Sequence, residues 1–206
     1  MLVKASSITN LTDARYFAAK EVAYMGFNLE ENTAGYLDPM YMKAIREWVQ
    51  GPRIVGEFDR TRAAVVREAA AFFGLDAVQV TQTDGLSELD GLEVILYLHG
   101  TTNPDSLVPV LQRAASVVSY ILLDFSTPDL SAALMGTRTD AWKNLFAEYP
   151  VLLDVHLPAG ELPELLQKLK PAGLALRGGT EERVGIKSFD EVDAIFDILE
   201  GWKISG

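Results

Sequence analysis

Residues 1–28 read MLVKASSITNLTDARYFAAKEVAYMGFN, and their alternation of patterns sets the expectation for the whole chain. An apolar run at Leu2–Ser6 predicts a strand, Thr12–Lys20 carries helical spacing, and Tyr24–Asn28 is apolar again. The two strands are too apolar to be half-exposed, which predicts a parallel sheet covered by helices rather than a solvated antiparallel one. Further runs follow at Ile54–Phe58, Ala77–Val80, Val94–Leu98, Tyr120–Asp124, Val151–Asp154 and Gly173–Leu176. Helical patterns separate them at Pro39–Val49, Arg60–Phe73, Asp105–Ala115, Trp142–Ala147 and Glu161–Leu169, with a short turn-like crossover near Gly85–Leu92. Gly74 follows "VREAAAFF" directly as a helix stop. Ser188-Phe189-Asp190-Glu191 has capping-box spacing and opens a last helix, Ser188–Glu200.

Eight strands in 206 residues allow about 25 residues per unit, close to the lower size limit of a (β/α)8 barrel. The expected fold is therefore a single (β/α)8 TIM barrel with parallel strands and short loops, one domain over 1–206. An open doubly wound sheet is the structural rival. No linker or low-complexity tract divides the chain.

Composition narrows the function. A net charge of −11 argues against nucleic acid, whose phosphates need clustered cations. No apolar stretch approaches a membrane span, and the N-terminus lacks the pattern of a signal peptide, so a cytoplasmic protein is expected. With no cysteine there are no disulfides, thiolate metal sites or thiol nucleophiles.

In a barrel, function belongs where strands end and loops begin. Those positions are Lys4, Ser6 and Ser7; Asn28; Glu57 and Asp59; Thr81 and Gln82; His99; Asp124; Asp154 and His156; and Arg177-Gly178-Gly179. Both histidines of the chain are among them. His99 and His156 would flank Asp124 on neighbouring strands as an acid/base pair titrating near neutrality. Glu57, Asp59, Asp124, Asp154 and His156 supply oxygen and imidazole donors, but no metal-binding spacing joins them, and no metal is expected.

These residues carry a family likeness. Lys4-Ala5-Ser6-Ser7-Ile8-Thr9-Asn10 is similar to the K-x-C-G-I-T-N opening of phosphoribosylanthranilate isomerases, and "LTDARYFAA" to the helix after it. "MGFNLEENTAGYLDP" resembles the family's second-strand segment, "RIVGEF" its third strand, "GLDAVQV" its fourth and "YILLDF" its sixth. "MGTRTDAW" is a loosened G-G-T-G-x-x-F-D-W loop, and "RGGTEERVGIKS" resembles the eighth-strand segment. The likeness runs end to end. It implies an Amadori-type aldose–ketose isomerisation of a phosphoribosylamine in tryptophan biosynthesis, with a small phosphorylated sugar-type substrate or related anion and no cofactor.

Position by position, the resemblance implies Asp124 as general acid and Ser6 at the place of the thiol base. A thiol of pKa near ~8.5 can serve as a base near neutrality, whereas a lone hydroxyl titrates far above that range. Gly35 falls where the family has its carboxylate-binding arginine, and Thr81 where it has a histidine. Asp154-Val155-His156 replaces an A-G-G phosphate loop. Arg177, Gly178 and Gly179 keep a cation and two glycines for phosphate binding. Two alternatives stay open: a catalytically lapsed barrel that binds a metabolite or partner protein, and a new barrel enzyme using His99, Asp124 and His156. Oligomeric state is not legible from the sequence.

Overall fold

The strands β1 (Leu2–Ser6), β2 (Tyr24–Asn28), β3 (Arg53–Phe58), β4 (Ala77–Val80), β5 (Val94–His99), β6 (Tyr120–Phe125), β7 (Val151–Val155) and β8 (Gly173–Arg177) pair in chain order. β1 also pairs with β8 in parallel, Leu2 opposite Gly173 through Ser6 opposite Arg177, so the sheet closes on itself. That closure excludes the open-sheet rival. The computed structural model describes residues 1–178, 180–183 and 186–204, with no account of side chains at 180–187 and 202–204.

The helices are α1 (Leu11–Ala19), α2 (Pro39–Arg46), α3 (Ala63–Phe73), α4 (Val108–Ala114), α5 (Pro128–Leu134), α6 (Thr139–Glu148), α7 (Leu162–Leu169) and α8 (Asp190–Ile204). Local chemistry sets their ends. Asn10 caps α1 by accepting from Asp13 N at 2.9 Å, and Asp38 caps α2 by accepting from Met40 N at 2.7 Å, ahead of Pro39 in the first turn. Gly74 ends α3 in the left-handed conformation. α3 begins later than its sequence pattern because Thr61 is tethered to Glu30, whose Oε2 accepts from its amide at 3.2 Å and its hydroxyl at 2.7 Å.

The β4–β5 crossover is the short turn expected there, a 3-10 turn at Leu86–Leu89. Two elements depart from the sequence reading. The β6–β7 connection holds an extra short helix, α5. After β8 the chain forms a separate antiparallel pair, β9 (Thr180–Arg183) with β10 (Ile186–Ser188). Ser188 therefore ends a strand and accepts from Asp190 N at 3.2 Å, and α8 begins at Asp190, two residues later than the expected start at Ser188. α8 then returns to α1, where Phe189 stacks on Tyr16 at 3.9 Å and the Tyr16 hydroxyl donates to Asp193 at 2.7 Å.

Two apolar layers result. One lies between strands and helices and includes Phe17, Met42, Leu111, Trp142 and Leu166. The other fills the barrel with Tyr24, Val55, Ala77, Ile95, Leu122, Leu152 and Ala175, one residue from each of seven strands. Among the described residues no helix is long and apolar enough to cross a membrane.

Candidate active site

Side chains two residues apart on a strand share a face, so the next inward layer above the apolar fill is dictated by register. It consists of Lys4, Gly26, Glu57, Gln79, Tyr97, Asp124, Asp154 and Arg177. A ring this polar at the C-terminal end of barrel strands is the expected place for chemistry. Lys4 is 0% exposed, Glu57 5% and Asp154 7%, so these charges exist only because each has a partner.

The first pair joins β1 to β3. Lys4 Nζ donates to Glu57 Oε1 at 2.5 Å and to Ser6 Oγ at 2.9 Å. Glu57 also accepts from Ser7 N at 3.1–3.2 Å and from Ser7 Oγ at 2.8 Å. Those bonds hold Ser7 at φ 52, a left-handed conformation that costs a non-glycine residue about 1–2 kcal/mol. Between the two strands stands Gly26, where a Cβ would overlap Glu57 Oε1 and crowd Lys4 Nζ. Only glycine leaves the pair room to form.

The second pair joins β7 to β8: Arg177 Nη2 and Nε donate to Asp154 Oδ2 at 3.1 and 3.3 Å. Burial pushes the Asp154 carboxyl above its ordinary range, Arg177 opposes the rise, and the charge of Asp124 adds to it. Gly178 passes so close to Asp13 that a Cβ there would overlap the carboxylate. Gly179 lies outside the described residues. The expected phosphate end of the mouth is thus an arginine already engaged by a buried carboxylate.

Asp124 is in register with Asp154 on β7 and with His99 on β5. It differs from the other two carboxylates of the ring in having no cationic hydrogen-bond partner among the described residues. Its Oδ2 accepts from the Tyr97 hydroxyl, and its Oδ1 accepts from Ser126 N at 2.9 Å. Burial works to raise its pKa, but hydrogen bonds from Ser126 and Tyr97 and the charge of Arg177 outweigh burial and hold the carboxyl below the usual range. Burial and Asp124 push the Tyr97 phenol up, so it remains a donor.

The remaining expected positions lie nearer the rim. His99 is exposed and packs edge-on against Tyr97, ring centroids 5.2 Å apart. His156 is exposed, with its backbone amide bonded to Ser131 Oγ at 3.2 Å. Neither imidazole is hydrogen-bonded to Asp124 among the described residues. Gly35 has φ 79, a backbone that favours glycine, in a loop tethered by Asn28 Nδ2 to Thr33 Oγ1 and Ala34 O, both at 2.9 Å. Thr81 Oγ1 donates to the Asp59 carbonyl oxygen at 2.5 Å, so these two rim groups satisfy each other. Among the described residues no three acidic or histidine side chains gather as metal ligands would. Tyr97 and Gln79 were not singled out in the sequence, although the period-2 spacing from His99 and Thr81 places both inward. One buried amide atom of Gln79, Oε1, has no partner among the described residues.

Comparison with known proteins points the same way. A phosphoribosylanthranilate isomerase from Synechococcus sp. (strain JA-2-3B'a(2-13)) is 29% identical, the match covering 100% of this chain and 94% of that protein. Over its whole length the chain is thus similar to phosphoribosylanthranilate isomerases. The dimeric phosphoribosylanthranilate isomerase of Thermotoga maritima, solved as monomers, superposes with a TM-score of 0.74 at 21% identity over 98% of this chain and 100% of its own. A structure of a phosphoribosylanthranilate isomerase in complex with reduced 1-(o-carboxyphenylamino)-1-deoxyribulose 5-phosphate gives 0.74 at 20% identity, over 98% of this chain and 100% of its own. No protein-family model matches the chain.

Proposed function

We propose that the chain isomerises a phosphoribosylamine of the phosphoribosylanthranilate type, an Amadori rearrangement that turns an N-glycosylated aldose into a 1-amino-ketose. The reaction needs one group to protonate the ring oxygen and another to remove the proton on C2. The observation that carries the reading is the ring itself. Asp124 stands ionised on β6 between Tyr97 and Ser126, and Ser6 stands three strands away on β1 beside the Lys4 ammonium. Proton-transfer groups therefore reach the mouth from two directions.

Binding follows from the same layer. Gln79 offers a buried amide oxygen without a partner among the described residues, suited to accept from a sugar hydroxyl. Arg177 is the cation available for a phosphate, and its bond to Asp154 is loosened whenever that carboxyl, raised by burial, takes up a proton. No cofactor enters the reaction. The test is turnover of phosphoribosylanthranilate by the purified chain beside an Asp124→Asn variant. Turnover lost in the variant supports the reading, and equal rates in both remove Asp124 from the chemistry.

A further inference from the structure

Among the described residues the large apolar side chains left in solvent are Met40, Tyr41, Trp48, Val65 and Phe72. All of them lie on α2, on the turn that ends it, or on α3. Met42 and Ile45 turn one side of α2 to the core, and Ala63, Val66 and Ala70 do the same for α3. Tyr41 and Trp48 are seven residues apart, as are Val65 and Phe72, so each pair forms a row on the outer side of its helix. The Trp48 amide donates to Ile45 O at 3.0 Å, which carries the helical path on to that ring. Trp48 is 71% exposed and Phe72 80%. Arg46 ties the helices side by side by donating to Gly74 O, just past α3, at 2.7 Å.

Aromatic side chains cover about 150–250 Å² each, so these residues together present on the order of 500 Å² of apolar surface. A patch of that size on one chain marks an interaction site. With the charged side chains around it, it approaches the ~800 Å² that each member of a stable pair buries.

We propose that this face joins two copies of the chain, around a twofold axis running between α2 and α3 and parallel to them. Such an axis lays α2 of each copy on α3 of the other, and every contact is made twice. Because the two rows have the same seven-residue span, Tyr41 meets Val65 and Trp48 meets Phe72 in a single register. That register also sets Lys43 of one copy against Glu68 of the other. Both are exposed, and neither has an ion-pair partner in its own chain. Net charge selects the same face. Over the whole chain 29 acidic residues outnumber 18 Lys and Arg, so copies repel across most of their surface. Residues 39–73 reverse the balance, with six Lys and Arg against four acidic residues, so two copies approach there without that repulsion.

The experiment is sedimentation velocity on the purified chain across a dilution series. Wild type is run beside Trp48→Glu, Phe72→Glu, Lys43→Glu and the exchange Lys43→Glu with Glu68→Lys, each checked for folding by its far-ultraviolet spectrum. The wild type should pass reversibly from dimer to monomer on dilution. Trp48→Glu and Phe72→Glu should each weaken pairing at least about 30-fold, the scale of losing an aromatic anchor at an interface centre. Lys43→Glu alone should weaken it about tenfold by setting like charges together, and the exchange should restore it. A chain that stays monomeric at every concentration leaves the face to another occupant and overturns the proposal. So does a dimer indifferent to Trp48→Glu and Phe72→Glu. An exchange that fails to restore pairing overturns the placement of α2 on α3.

Discussion

Each end of this barrel brings carboxylate, tyrosine and cation together, but only one end leaves a charge open. At the floor, where strands begin, Glu93 accepts from Tyr24 and pairs with Arg53. Arg53 lies 5.4 Å over the Tyr24 ring, and Tyr24 meets Tyr120 edge-on at 6.0 Å. Its two charges are matched to each other, so the cluster plugs the barrel. At the mouth, Lys4–Glu57 and Arg177–Asp154 are matched in the same manner, yet Asp124 and the Ser6 hydroxyl face inward with capacity left over. The same ingredients give stability when closed among themselves and reactivity when one acceptor and one donor remain unspent.

Substitutions can break this comparison. Asp124→Asn should lower kcat/KM by about 10²–10⁴-fold, the range for losing a general acid or base, with little change in thermal stability. A steady-state assay beside a melt separates the two effects. The folded-state pKa of Asp124 is depressed, so its carboxylate stabilises the fold above the unfolded value near ~3.9 and stops doing so as pH falls through the folded value. The stability gap between wild type and Asp124→Asn should therefore close in acid and not in base.

Lys4→Met is the largest stability effect expected at the mouth. It leaves Glu57 buried without its cation and should cost about 3–5 kcal/mol in urea unfolding. Asp154→Asn should do less, releasing Arg177 toward anions. Competitive inhibition by sulfate should tighten about fivefold, the effect of ~1 kcal/mol. In the wild type the same tightening should develop as pH falls through the raised pKa of Asp154, and the variant should lack that dependence. Because burial disfavours its charge, Asp154 favours folding below its unfolded pKa and loses that contribution as pH rises through the folded one. The smallest effect belongs to the floor. Glu93→Gln should cost under ~1 kcal/mol, since Arg53 is half in solvent, and should leave kcat/KM within about twofold. A large activity loss there would dissolve the distinction between the two ends.

The barrel was legible because its strands are buried on both faces. Runs such as "VILYLH" and "YILLDF" are apolar on alternate residues of either parity, which only a covered parallel sheet needs. The additions after β6 and β8 were not legible. α5 has seven residues and buries only Ser131 and Leu134, too little for a helical stripe. β9 and β10 have four and three residues, too short for alternation to register. In the site, Asp124 was visible as a charge closing an apolar strand. Tyr97 was hidden because a tyrosine inside a strand reads as core until its register places it over Asp124. The Lys4–Glu57 pair spans 53 positions of sequence, so each residue could be placed at a strand end but the bond between them could not be foreseen.

If the open charge at the mouth drives aldose-to-ketose conversion, the product carries the proof. Phosphoribosylanthranilate incubated with the purified chain should show its sugar C2 becoming a ketone carbonyl by carbon NMR, at a rate abolished in Asp124→Asn. A C2 that remains a hydroxyl-bearing carbon, or a carbonyl that forms equally fast with the variant, would contradict it.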